Sequence, residues 1–131
     1  MLLTQIIEKD TLVKFLLETC NLTHIQVDTL LCDLEGRKNK FSIFDRSVMR
    51  DKGSVEPGAF LRTKSQAQKN IKCSFATLIL LVYLGILPMS SILSLVKIVG
   101  LIDDLRSSAS ESKKTEVLEI LKRIIDEVSK T

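Results

Sequence analysis

The segment from Cys73 to Val96 carries no formal charge, and its length of 24 residues limits the folds that this chain can adopt. A helix that is apolar on every side has to be buried in a core, between subunits or in lipid. Pro88 lies beyond the middle of the segment and several serines interrupt it, so the strongly apolar part shrinks to residues 78–87. That length suits a core helix better than a membrane span. The chain has no Trp, and its single Tyr83 lies inside the segment, so the aromatic belt of a membrane helix is missing. We therefore expect no membrane insertion.

Length and composition predict the fold class. The 131 residues are about one domain in size. Five Gly, two Pro and only 5% aromatic residues, with many Leu and Ile, favour helices over a sandwich or barrel. We expect an all-α domain over residues 1–106, a serine-rich linker at 107–114 and an amphipathic C-terminal helix at 115–131.

Local signals predict where the first helices begin and end. Asp10 is placed to cap the second of two apolar runs near the N-terminus. Thr23 stands at the N-cap of a helix over about 24–35, and Gly36 is expected to terminate it. The apolar face of that helix is expected to be Ile25, Val27, Leu30, Leu31 and Leu34.

A short helix, a turn and two longer helices are expected next. The short helix covers about 41–51, and its apolar stripe is Phe41, Phe44 and Val48. The turn formers Gly53 and Gly58 follow, and Pro57 suits the first position of a new helix of nearly 30 residues. Pro88 then restarts the chain as a helix that ends near Arg106.

Charge is distributed unevenly along the chain. The net charge is +3, but ten basic and three acidic residues between Gly36 and Lys72 give that region a local charge of +7, while the rest sums to −4. No acidic residue lies between Pro57 and Ile102. A concentrated positive field attracts polyanions, and nucleic acid and anionic lipid are the usual ones.

The helix pattern and the charge together predict a helix-turn-helix-like unit at about 41–86. On its second helix Arg62, Gln66 and Lys69 share one face. Arg can pair with guanine, amides with adenine and Lys with phosphate. A plain solvated face usually mixes Glu with Lys, and this one has no Glu. The core-facing side is expected to hold Phe60, Ala67 and Ile71. The residues expected to bind DNA are Arg46, Arg50, Lys52, Arg62, Lys64, Ser65, Gln66, Gln68, Lys69, Asn70 and Lys72.

The segment "GAFLRTKSQAQKNI" (residues 58–71), followed by "LLVYLGIL" (residues 80–87), resembles sequences of archaeal helix-turn-helix DNA-binding proteins of the transcription-regulator kind. The resemblance covers about 35 residues. It implies a recognition helix that carries Arg62, Gln66, Lys69 and Asn70, and a homodimer on a palindromic site.

Two apolar surfaces are candidates for dimerisation. One is on the charge-free segment, and the other is a short seam in the C-terminal helix with coiled-coil-like spacing. The residues expected to form them are Leu78, Leu81, Val82, Val117, Leu121, Ile124 and Val128.

Signatures of catalysis and metal binding are missing from the sequence. The single His24 has no nucleophile near it except Cys20, and neither a P-loop nor a GxGxxG motif is present. Asp103 and Asp104 are adjacent and point to different helix faces. Cys20, His24 and Cys32 would supply three zinc ligands, but no fourth ligand lies at a suitable spacing. We expect no enzymatic activity, no metal and no cofactor.

The expected function is that of a transcriptional regulator that binds double-stranded DNA as a homodimer. The three cysteines form no CxxC pair and follow no signal peptide, which predicts a cytoplasmic protein. A helical adaptor that binds another protein and no nucleic acid is the main alternative. A small membrane-associated protein is the third.

Overall fold

The structure is a computed structural model that describes residues 2–50, 53–106 and 111–130. These residues form seven helices and no strand, which confirms the all-α class. In chain order the helices are α1 (Leu2–Lys9), α2 (Thr11–Thr19), α3 (His24–Lys38), α4 (Ile43–Val48), α5 (Pro57–Tyr83), α6 (Met89–Leu105) and α7 (Glu111–Ser129).

The chain divides into two compact units, Met1–Ser74 and Phe75–Thr131, and the division falls within α5. In the first unit α1 packs on α2 and α3, and α3 packs on α4. In the second unit α6 packs on α7. Because α7 begins at Glu111, the last four residues of the predicted linker are helical. Residues 107–110 of that linker lie outside the described part of the chain.

The helix starts follow the local signals of the sequence. The Asp10 carboxylate accepts a hydrogen bond from the Leu12 amide at 3.0 Å and so caps α2. Thr23 and Gln26 form a capping box at the start of α3, with both side chains bonded to backbone amides at 3.1 Å. Pro57 is the first residue of α5. The predictions for Asp10, Thr23 and Pro57 are confirmed.

The predicted end of α3 at Gly36 is wrong. The helix continues through Gly36 to Lys38, and Gly36 is buried inside it. A Cβ at this position would meet Cδ and Nε of Arg46, each at 2.6 Å. The glycine therefore allows the Arg46 side chain to pass close to α3, and it does not end the helix.

The predicted apolar stripe of residues 41–51 is not a core stripe. Helix α4 is shorter than expected, and Ser42 caps it by accepting a hydrogen bond from the Asp45 amide at 3.1 Å. Phe44 is 62% exposed, and Phe41 and Val48 are exposed as well.

Helix α3 also turns a different face inward from the one its apolar residues predict. Ile25 and Leu34 are exposed, while Val27, Leu30 and Leu31 are only half-buried. The residues buried on α3 are mostly polar: Gln26, Asp28, Thr29, Cys32, Asp33 and Gly36. The first unit is therefore built partly around a polar core.

Apolar side chains complete the interior of each unit. The fully buried ones in the first unit include Leu3, Leu12, Phe60 and Ala67. Those in the second unit are Leu87, Ile98, Leu105, Val117, Leu118 and Leu121. None of the described helices combines the length and the hydropathy needed to cross a bilayer.

Candidate nucleic-acid interface

The first half of α5 has two chemically distinct faces. Phe60 and Ala67 are fully buried on one side, as predicted, and Ile71 is half-buried. Arg62 and Lys69 lie on the other side. The exposed polar residues there, which we name the α5 polar face, are Arg62, Ser65, Gln66, Gln68, Lys69 and Lys72. The face carries three cations and two amides and no carboxylate.

A single buried carboxylate ties α5 to α3 and α4. Asp33 on α3 is 1% exposed. Its Oδ1 accepts a hydrogen bond from Nη1 of Arg46 on α4 at 3.2 Å, and its Oδ2 lies 3.2 Å from Nζ of Lys64 on α5. Nε of Arg37, one helical turn further along α3, lies 3.1 Å from the same Oδ2. We name this group the Asp33 cluster.

The Asp33 cluster has the composition that a buried charge needs. A buried carboxylate is costly unless cations and hydrogen bonds compensate it. Arg46 and Lys64 are themselves largely buried, with 15% and 24% of their side chains exposed, whereas Arg37 is 61% exposed. The two buried cations therefore fix the relative positions of α3, α4 and α5, and Arg37 adds little.

A second polar joint holds the middle of α5. Nδ2 of Asn70 donates to Oε1 of Gln26 at 3.2 Å and lies 3.3 Å from the backbone oxygen of Asn21. Nδ2 of Asn21 donates in turn to Oγ of Ser74 at 2.9 Å. Since Gln26 also belongs to the α3 capping box, the start of α3 and the middle of α5 share one hydrogen-bond network.

The predicted DNA-binding residues that the structure describes occupy inward-facing, half-buried and exposed positions. Arg46, Lys64 and Asn70 face inward and bind other side chains of the same unit. Arg50 is half-buried, and its Nε has no hydrogen-bond partner. Lys52 lies outside the described residues. The other six predicted residues form the α5 polar face.

Sequence reasoning missed Asp33 and its role. The residue stands among leucines, so the apolar periodicity of α3 drew attention to the wrong face. A signal was nevertheless present, because Gln26, Thr29, Asp33 and Gly36 recur at spacings of three and four, as one helix face requires. A polar stripe that ends in glycine indicated a face in close contact with another element.

Buried Cys32 is not poised for chemistry. Burial, and then the Asp28 carboxylate beside it, raise the pKa of the Cys32 thiol to about 11. Its Sγ lies 3.9 Å from Oδ1 of Asp28. Since the thiolate is the reactive and metal-binding form, this cysteine stays inert at neutral pH. Among the described residues, no group of three His, Cys, Asp or Glu side chains is arranged to hold a metal ion.

The predicted dimerisation residues fall into exposed, half-buried and buried positions of the second unit. Leu78 is exposed at the surface, and Leu81 and Val82 are half-buried. Val117 and Leu121 are buried within the chain, on the helix that packs against α6. Two half-buried residues, Ile124 and Val128, complete the set.

Comparison of the chain with protein-family models, with curated proteins and with solved structures finds no match. The resemblance to archaeal helix-turn-helix proteins therefore remains a prediction.

Proposed function

We propose that this protein binds duplex DNA through the α5 polar face. The observation that carries the proposal is the exposed, carboxylate-free set of cations and amides on a helix whose opposite side is anchored by buried contacts. A role in transcription regulation belongs to the same proposal.

The side chains of the α5 polar face suit both backbone and base contacts. The major groove of B-DNA admits one α-helix. Arg62 can form a bidentate pair with guanine, and Gln66 can do so with adenine. Lys69 and Lys72 can neutralise phosphates, which supplies affinity without sequence preference.

A comparison within the molecule distinguishes this face from an ordinary solvated one. Helix α7 mixes acidic with basic residues, and Lys114 lies 3.8 Å from Glu111 one turn away. Helix α5 has no acidic residue over its whole length. The exposed cations of the α5 polar face therefore have no counter-charge on their own helix, which leaves their field available to a polyanion.

Anchoring on the inner side favours recognition rather than loose attraction. Base readout requires side chains on a rigid element supported by a second layer of contacts. The Asp33 cluster and the Asn70 network supply that support from two points along α5. Lys64 and Asn70 would thus act by positioning the helix, and not by touching DNA.

Fluorescence anisotropy with a labelled duplex tests the proposal. With two phosphate contacts, from Lys69 and Lys72, the affinity should fall about 12-fold between 50 and 200 mM salt. The double substitution Lys69→Ala with Lys72→Ala should remove about two units of the log–log salt slope. Neither change should alter the melting temperature, because both side chains are exposed.

A matched control removes two exposed lysines elsewhere in the same unit, Lys9→Ala with Lys14→Ala, and changes the net charge equally. It should leave affinity nearly unchanged. Gln66→Ala should weaken binding to a duplex selected from a random library by about tenfold while sparing non-specific binding. Absence of salt-sensitive binding, or an equal loss in the control, would contradict the proposal.

A further inference from the structure

The second unit exposes an apolar surface around the end of α5 and the start of α6. A groove of about 490 Å³ lies there. We name it the apolar groove, and its lining is Phe75, Leu78, Ile79, Val82, Tyr83, Met89 and Ile92. Tyr83 is 86% exposed and Ile79 is 68% exposed, so large side chains project beside the hollow.

The groove has a large exposed apolar lining. Five of its residues, Phe75, Leu78, Ile79, Tyr83 and Met89, are large and exposed. At the usual size of such side chains they expose roughly 600 Å², the upper end of the range of about 300–600 Å² for the largest apolar patch of a typical monomer. The exposed residues next to them in the chain, Leu80, Leu84 and Leu93, add to this area. Together they approach the roughly 800 Å² that a stable interface buries on each partner.

We propose that the apolar groove packs against the same groove of a second copy of this chain. A two-fold interface brings one surface patch onto its own copy, so the patch has to complement itself. The groove supplies both a hollow and projecting side chains such as Tyr83. Its segment carries no charge between Cys73 and Val96, so no like charges meet across the two-fold axis.

This proposal goes beyond DNA binding and does not rest on it, since it concerns other residues and another assay. It also narrows the predicted dimerisation surface. Val117 and Leu121 are already buried within the chain, whereas Leu78 and Val82 line the groove.

Sedimentation velocity on the full chain, at concentrations up to about 100 µM, tests the proposal. The natural chain should sediment with twice the mass of one chain. Ile79→Glu and, separately, Met89→Glu should each weaken the dimer by about 100-fold or more, because two-fold symmetry forces two carboxylates into an apolar interface. Both positions are more than half exposed, so the fold of the single chain should survive, as circular dichroism would report.

The matched control is Phe44→Glu, which introduces the same charge at a residue of the first unit that is 62% exposed. It should leave the dimer intact. The proposal is overturned by a natural chain that stays monomeric, by open-ended aggregation, by a monomer that floats with phosphatidylcholine vesicles, or by an equal effect of the control.

Discussion

The Asp33 cluster allows a sharp prediction for stability, tested by Asp33→Asn. The substitution keeps the shape of the side chain but removes the charge that compensates two largely buried cations. Arg46 and Lys64 each lie 3.2 Å from the carboxylate in the folded chain. In the variant their charges stay buried without a counter-charge. The amide NH2 of Asn also faces a hydrogen-bond donor of Arg46 or Lys64, where the carboxylate had an acceptor oxygen.

The magnitude follows from the exposure of the partners. Removal of one side of a buried ion pair costs about 3–5 kcal/mol. Arg37 is 61% exposed and its pair contributes less than about 1 kcal/mol. Lys64 has a flexible stem that can carry its ammonium toward water, which lowers the cost. We therefore expect a loss of about 3 kcal/mol, a large share of a total stability of roughly 5–15 kcal/mol.

Urea denaturation followed by far-UV circular dichroism measures this loss. The control is Asp103→Asn, which removes a carboxylate whose pair with Arg106, at 3.1 Å, is exposed on both sides. That change should cost less than about 0.5 kcal/mol. If Asp33→Asn also cost less than about 1 kcal/mol, the cluster would not hold the three helices together and the argument for an anchored α5 would fail.

Three further predictions concern packing, cysteine reactivity and pH. Gly36→Ala should destabilise the fold by about 1–2 kcal/mol, because the new Cβ displaces the Arg46 side chain. Gly100→Ala should instead stabilise α6 by up to about 1 kcal/mol, because a Cβ there meets nothing within 4 Å. Thermal melts of both variants measure these changes. Cys32 should resist a thiol reagent in the native protein while the two exposed cysteines react, and all three should react after unfolding. Because the folded chain keeps the Cys32 proton to a pKa of about 11, against 9.0 ordinarily, its contribution to stability is complete below about pH 9 and is lost as the pH rises toward about 11, a dependence that Cys32→Ala should remove from the unfolding free energy.

Helix boundaries could largely be predicted because their causes are local. Asp10 and Thr23 cap helices by bonding amides two or three residues away, and Pro57 begins a helix because its ring already has the required backbone angle. Gly36 is the exception. Glycine terminates helices often, but here the need for space came from Arg46, ten residues further on.

The interior of α3 could not be predicted from apolar periodicity. That method assumes that polar groups face water, and it fails when a buried carboxylate finds its own cations. The two largely buried partners of Asp33 come from α4 and α5, so only the folded chain brings them together. Because Arg46 and Lys64 pair with Asp33 on folding, they are no longer among the cations that a ligand can reach.

The sequence alone determined the helical class, most helix starts and the carboxylate-free polar face of α5, since these depend on neighbours within a turn or two of helix. Tertiary structure decided which basic residues point inward, and that α3 buries its polar face while α7 buries its apolar residues against α6. The physical reason is that a charge is buried only where distant residues compensate it, and those residues become neighbours only on folding.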